Sequence, residues 1–455
     1  ATTEAAALSP TPPTALSPSA KSPRTEAIAG VEAPAEATAA AARVHGESEA
    51  TAEQGPWRIT LAMPIAQPFL MHCQNRTLRE QVYKAIVTVA STGELNNRPR
   101  IERILTLRRE KAKLLGFASH AEISLSTKMA ESVSAVETFL DEIRIAAKPK
   151  ALKEHQDLEA FAQQRTGAKD EPLRPWDLSF WAEKMREELY DLSEEELKPY
   201  HPFPQVLNGL FAMARRLFEI EVVPADGEVQ VWHPDVRYFR IEDLSGQTIA
   251  SFYLDPFSRP ANKRGGAWMN GIRDRQLGSD GSLQHPIAVL VCNQSPPSAT
   301  GPSLMTRREV VTLFHEFGHG LHGLMTQIDY PTFSGVDGPR DYTEFPAQIL
   351  EHWVSQPEML EMYATHYETG EVIPTKLVEK IRQAANHNQG FYTTEYVAAS
   401  LLDLAWHSLT PAAAAKINDA RAFEKQVLEG YGLIPEIEPR YRSQYFSHIF
   451  AGGDF

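Results

Sequence analysis

Cysteine is nearly absent from this sequence. The 455 residues include two, Cys73 and Cys292, so no disulfide framework can form, and the chain reads as a protein of a reducing, intracellular compartment. Long apolar runs are missing too. Stretches such as Pro286 to Cys292 fall well short of the roughly 20 residues that span a bilayer. No basic start is followed by an apolar core, so no secretory signal is visible. The first residue is Ala rather than Met, as in a processed form or a fragment. Basic charge is in deficit: 45 Lys and Arg against 59 Asp and Glu give a net charge of −14. That balance argues against nucleic acid as the main partner and against anionic membrane surfaces, because phosphate binding wants a basic face.

What remains is of globular type. Hydrophobic residues make up 42% and charged residues 23%, near the norm for packed domains. The length allows two or three domains of roughly 150 residues, or one large multi-lobed fold. Residues 1 to about 54 are mostly Ala, Pro, Ser, Thr and Glu, and too poor in large apolar groups to offset the entropy of ordering. A disordered segment is expected there. Its many Glu residues do not suit an organellar transit peptide. Order is expected from Gly55-Pro56-Trp57 onward.

Apolar residues then recur at helical spacing from Asn75 to Met129, around Val133 to Gln164, from Phe180 to Leu189 and from Gln205 to Phe218. Pro172 and Pro175 punctuate, and Glu194-Glu195-Glu196 reads as a solvated helix start. The texture changes at Val229 to Trp232, Val236 to Ile241, Thr248 to Leu254 and His285 to Cys292, which read as strands, with loops at Gly265-Gly266 and Gly271. A small antiparallel sheet inside a mainly α protein is expected. Helices return from Thr306. The division follows as 1–54 disordered, 55–220 a helical lobe, and 221–455 a lobe with the sheet and the chemistry.

The chemistry lies in Phe314-His315-Glu316-Phe317-Gly318-His319, an H-E-x-x-H pattern in a helical context. Thr306 can cap that helix with Glu309 as capping-box partner. Histidines four apart leave one helix face a turn apart, which suits two nitrogens on one tetrahedral zinc. Glu316 is rotated by about 100° from His315, beside a metal rather than on it, where it can take a proton from bound water. Gly318 is costly inside a helix, by about 1 kcal/mol relative to Ala, and implies a close approach by a backbone or a substrate. A catalytic zinc takes a third protein ligand. Glu344, in the segment Asp341 to Trp353, is the best candidate. Asp341 and Glu351 share its face if that segment is one helix, and either can orient a ligand histidine or serve as a capping or surface carboxylate. His322, seven after His315, reads as a supporting or core residue. His352, His366, His387 and His407 show no useful spacing.

These residues also resemble a known family. His315-Glu316-Phe317-Gly318-His319, Phe333-Ser334-Gly335 and Arg340 to Gln348 are similar to the M3 family of zinc metallopeptidases, within it to the oligopeptidase A branch. Asn75-Arg76, Leu114 to Phe117, Pro175-Trp176-Asp177, Gly265 to Met269 and Phe446 to Gly453 match as well. The resemblance implies a zincin-type helical ellipsoid with a deep substrate channel, a small sheet beside the zinc helix, and cleavage of short unstructured peptides. It implies one zinc ion on His315, His319 and Glu344, Glu316 as general base, and His448 as a substrate contact. A monomer is expected, with no nucleic-acid or membrane partner, in the cytoplasm or an organelle. After Gly453 the family continues into a tyrosine-rich helix, whereas Asp454 and Phe455 follow here. The expectation is therefore a chain shortened at both ends, with weak zinc-dependent peptide binding as the alternative to full turnover.

Overall fold

The computed structural model describes residues 59–61, 63–168, 171–259, 261–297, 301–410, 417, 419–434, 437, 441–446 and 448–452. The expected disordered segment 1–54 and the Asp454–Phe455 end lie outside them. The architecture below belongs to the compact unit that begins at Leu70.

The described chain is mainly helical with one small sheet. The expected helices form, with sharper ends. Helix α1 (Arg76–Val87) is capped by the Asn75 side chain, which accepts from Leu78 N. Helix α2 (Arg98–Leu115) stops at Gly116, whose φ of 82° suits a left-handed C-cap. Helix α3 (His120–Leu125) is followed by α4 (Val133–Thr166), which begins at the Ser132 cap and ends at Gly167. Pro175 starts α5 (Pro175–Tyr190) rather than breaking it, because a proline at the first helical position gives up only an N–H with no intrahelical partner. Ser193 caps α6 (Glu194–Leu197), so the acidic run is a helix start. Helix α7 (Phe203–Phe218) lays Val206, Leu210, Met213 and Ala214 into the core.

The sheet departs from the expectation in two ways. It has five strands in the order β1 (Ile220–Pro224), β2 (Arg237–Asp243), β3 (Thr248–Phe257), β7 (Ile287–Gln294) and β4 (Trp268–Arg273). It is mixed, not antiparallel: β3 and β7 pair in parallel, with Ser251 opposite Ile287 and Asp255 opposite Val291. The cause is topological. Strand β7 inserts between β3 and β4 and pairs antiparallel with β4, so it must run with β3. A two-strand ribbon, β5 (Gln276–Leu277) with β6 (Leu283–Gln284), lies in the connection. The second departure is at Val229 to Trp232, which forms no strand. There the indole Nε1 of Trp232 donates to Asp255 at 3.0 Å, and its ring lies 5.3 Å from that of Tyr253. Strand-forming residue types serve here as a loop covering the sheet. Conversely, Gly271 sits inside β4 rather than in a loop.

One face of the sheet carries α8 (Arg307–Leu324), the helix of the H-E-x-x-H motif. Phe239, Phe252, Leu254 and Leu290 from the strands form one core with Phe314 and Phe317 from α8 and with residues of α7. Helices α9 (Phe345–Glu351), α10 (Pro357–Tyr363) and α11 (Thr375–Ala384) close that core. A second cluster joins Ile101 and Leu105 of α2 to Leu402 and Trp406 of α12 (Gln389–His407), to Ala420 of α13 (Ala420–Gly430) and to Ile449 and Phe450.

Candidate metal centre

Local sequence fixes where α8 starts. The Thr306 hydroxyl accepts from Glu309 N at 3.2 Å, and Glu309 Oε2 accepts from Thr306 N at 2.7 Å, the reciprocal pair expected of a capping box. Glu309 Oε1 also accepts from Ser295 N at 2.8 Å, one residue past the end of β7. The motif helix is thus pinned to the sheet before its first turn is complete.

Glycines then set how closely other elements approach. A Cβ on Gly320 would lie 3.0 Å from Leu290 Cδ2 of β7, so this glycine seats the helix on the sheet. On the other side, a Cβ on Gly318 would lie 2.6 Å from Ala347 Cα and 2.8 Å from Pro346 O. The expected close approach is by the backbone of α9. That contact brings Glu344, the residue before α9, over the histidine face.

The outcome is a tight triangle. His315 Nε2 and His319 Nε2 are 3.1 Å apart, and Glu344 Oε2 lies 3.2 Å from the first and 3.3 Å from the second. Among the described residues, these three form the single group of His, Cys, Asp and Glu side chains arranged to hold a metal ion. The dimensions suit zinc. Bonds of about 2.0–2.1 Å in a tetrahedral site place neighbouring ligand atoms ~3.3 Å apart. Two imidazole nitrogens this close, facing one carboxylate oxygen, repel each other through their lone pairs unless a cation or a proton lies between them.

The surroundings favour positive charge at that point. Burial works against a charged His315, but hydrogen bonds to Glu344 and Glu351, with Glu316 nearby, outweigh it and raise its pKa to about 10. Glu344 is held far below the usual carboxylate range by its hydrogen bonds to His315 and His319. Glu351 Oε1 lies 2.7 Å from His315 Nδ1. With the proton on Nδ1, His315 donates to that carboxylate, and its Nε2 lone pair points into the triangle. Glu344 and Glu351 are seven residues apart, two turns of one face, and grip the same imidazole from its two nitrogens.

Glu316 is different in kind. It is 4% exposed, and its Oε2 is buried without a hydrogen-bond partner. Burial raises its pKa to about 7, with Glu344 adding to the rise and the two imidazoles opposing it. An unpartnered carboxylate oxygen beside two metal-type histidines suits a group that exchanges protons with a bound molecule.

The remaining candidates fall elsewhere. Asp341 accepts from Met129 N at 2.9 Å and Ala130 N at 2.9 Å, and so caps the turn ahead of α4. It lies on a separate 3-10 turn, Arg340–Tyr342, not on α9, which rotates it away from the face of Glu344. His322 packs edge-on to Tyr342 with ring centroids 6.1 Å apart and takes no part in the triangle. His448 opens a π-helical turn, His448–Gly452, with its ring 4.9 Å from that of Phe446. It too is outside the triangle. Sequence reasoning did not find Lys263, Asp255 or Asn293, which brace the strand beside α8. Their signal is a pairing slip that only the folded sheet displays.

The organellar oligopeptidase A of Arabidopsis thaliana, chloroplastic/mitochondrial, is 43% identical over 421 residues, covering 91% of this chain and 53% of that protein. The probable cytosolic oligopeptidase A of the same plant is 42% identical, covering 91% and 59%. Oligopeptidase A of Escherichia coli (strain K12) is 40% identical, covering 92% and 61%. The chain therefore spans between about half and three fifths of the length of these relatives. Residues 69–455 match the description of peptidase family M3. On the family match and these identities together, the chain belongs to peptidase family M3.

Proposed function

We propose that this chain carries the catalytic centre of a zinc-dependent metalloendopeptidase that hydrolyses short, unstructured oligopeptides, with one zinc ion per chain on His315, His319 and Glu344. The observation that carries this reading is the 3.1–3.3 Å triangle of Nε2, Nε2 and Oε2, with the unpartnered Glu316 carboxylate buried beside it. Membership of a peptidase family, and relatives named as oligopeptidases, support a peptide as the substrate.

Zinc in such a site supplies Lewis acidity and a bound water of lowered pKa. The protein's own groups do the rest. Glu316, with a pKa near 7, takes the proton of the attacking water at Oε2 and returns it to the leaving amine. Glu351 holds the His315 ring in place. Strand β4 ends the sheet, and among the described residues no strand pairs with its outer edge. An extended peptide adds to that edge through main-chain hydrogen bonds, beside α8. In this reading residues 55–220 form a helical lobe and 221–455 the zinc lobe of a zincin-type ellipsoid. A deep channel between such lobes admits unstructured chains and excludes folded ones. His448 contacts the substrate. The protein acts as a monomer, and its compartment is the cytoplasm or an organelle, the two named for the plant relatives. Among the described residues no helix is long and apolar enough to cross a membrane.

The test is Glu316→Gln, assayed on an internally quenched peptide with bound zinc measured in parallel. The substitution keeps shape and removes the base, so hydrolysis should fall by at least ~10² while zinc stays bound. Loss of zinc together with activity would make Glu316 a ligand or a structural group instead.

A further inference from the structure

The parallel ladder of β3 and β7 runs in register to Asp255 opposite Val291 and then slips, the next pair being Phe257 with Gln294. A slip inside a buried sheet withdraws carbonyl oxygens from the ladder, and buried carbonyls need another donor. Here the donor is a lysine. Lys263 Nζ lies 3.0 Å from Asp255 O, 2.8 Å from Phe257 O and 2.5 Å from Cys292 O, and 2.9 Å from Asp255 Oδ1. Its side chain is 7% exposed and that of Asp255 4%. Asp255 is further held by two 2.7 Å bonds from Arg259 and one of 3.0 Å from Trp232 Nε1. Four oxygens drawn from two strands thus surround one desolvated ammonium, as they would a monovalent cation. The same loop is gripped again one and three residues later. Asn293 Nδ2 of β7 donates to Arg264 O at 2.9 Å and to Gly266 O at 2.6 Å. Trp268, the first residue of β4, follows Gly266 by two positions.

We propose that Lys263 is a positioning residue for the substrate. Its ammonium closes the slip between β3 and β7 and, with Asn293, fixes the β3–β4 connection, so that β4 presents its outer edge in one place beside α8. The claim rests on the reading that a peptide docks along that edge. Chemistry favours the ammonium over a merely space-filling side chain. An apolar residue would fill the volume but take the ammonium away from three buried carbonyls, and leave the Asp255 carboxylate to Arg259 and Trp232 alone. The zinc ligands lie on α8 and before α9, so loss of the ammonium acts on peptide binding and not on metal binding.

The experiment uses the zinc-loaded protein carrying Lys263→Ala, read by bound zinc, by steady-state kinetics on an internally quenched peptide, and by hydrogen exchange of the amides of residues 267–273. Zinc should remain at one per chain. KM should rise at least about tenfold with kcat changed by less than about threefold, the signature of lost binding. The 267–273 amides should exchange faster. Ethylammonium, which fits the vacated side-chain volume, should reverse both changes, and sodium chloride at the same ionic strength should not. Unchanged exchange in a folded, zinc-bearing variant overturns the proposal, as does a failure of ethylammonium to restore either property. If the unsubstituted protein hydrolyses no peptide, the peptidase reading falls, and the exchange comparison still decides the role of Lys263. Should Lys263→Ala fail to fold, Asn293→Ala cuts the other anchor of the loop, and unchanged exchange at 267–273 in that variant overturns the claim.

Discussion

Two carboxylates seven residues apart do different work on one imidazole. Glu344 faces His315 Nε2 and His319 Nε2, and Glu351 takes the Nδ1 side of His315. A ligand histidine whose second nitrogen is held by a carboxylate is more basic and already oriented, and loss of such a partner typically costs about 10–100-fold in metal affinity or activity. Glu351→Gln should therefore weaken zinc by about that factor in competition with a chelator, with the fold intact. Affinity equal to that of the unsubstituted protein would reduce Glu351 to a surface carboxylate. At this scale much of the site was legible in the sequence. The i, i+4 histidines and the offset of Glu316 follow from helical period, while Glu344 is the best of several carboxylates and is singled out by the resemblance to the M3 family. What the sequence left open was the choice between Asp341 and Glu351. Read as one helix, residues 341, 344 and 351 share a face. The 3-10 turn Arg340–Tyr342 breaks that phase and sends Asp341 to cap the turn at Met129 and Ala130.

Elements meet at glycines, and their spacing decides the sign of a substitution. A helix-interior glycine normally gains about 1 kcal/mol when changed to alanine. Gly318 should behave oppositely, because its Cβ would fall 2.6 Å from Ala347 Cα, a backbone atom that cannot rotate aside. Gly318→Ala should push α9 away, lower the melting temperature and weaken zinc binding by displacing Glu344. Gly323, five residues on, meets nothing nearer than Met269 Cε at 3.9 Å, so Gly323→Ala should hold or raise the melting temperature and leave zinc binding unchanged. Thermal melts with zinc titrations of the two variants check the contrast, and equal behaviour would refute it. The sequence signalled that Gly318 needed a neighbour but could not say which, since α9 is remote in the chain. The same limit hid the parallel pairing. Residue types mark Thr248–Leu254 and His285–Cys292 as strands, but not that the second inserts between β3 and β4. Strand β4 escaped notice because it is an exposed edge containing Gly271, without the apolar alternation of a buried strand.

Across the whole molecule, the proposed zinc ligands sit where α8 meets α9 above the core they share with the sheet, so metal affinity reports first on the packing of α8 against α9. Phe314 and Phe317 on α8 are buried in that core with Leu290 of β7 and Leu350 of α9, and they flank His315 and Glu316 in sequence. The ligand face and the core face of α8 are therefore set by one helical phase, and the triangle exists because the core does. The most direct measurement of this account is the zinc content of the purified protein after dialysis against metal-free buffer, compared with His315→Ala, His319→Ala and Glu344→Ala. The unsubstituted protein should retain one zinc per chain and each variant should lose it, with circular dichroism unchanged. Stoichiometric zinc in any folded variant, or none in the unsubstituted protein supplied with zinc, would contradict the assignment of the centre.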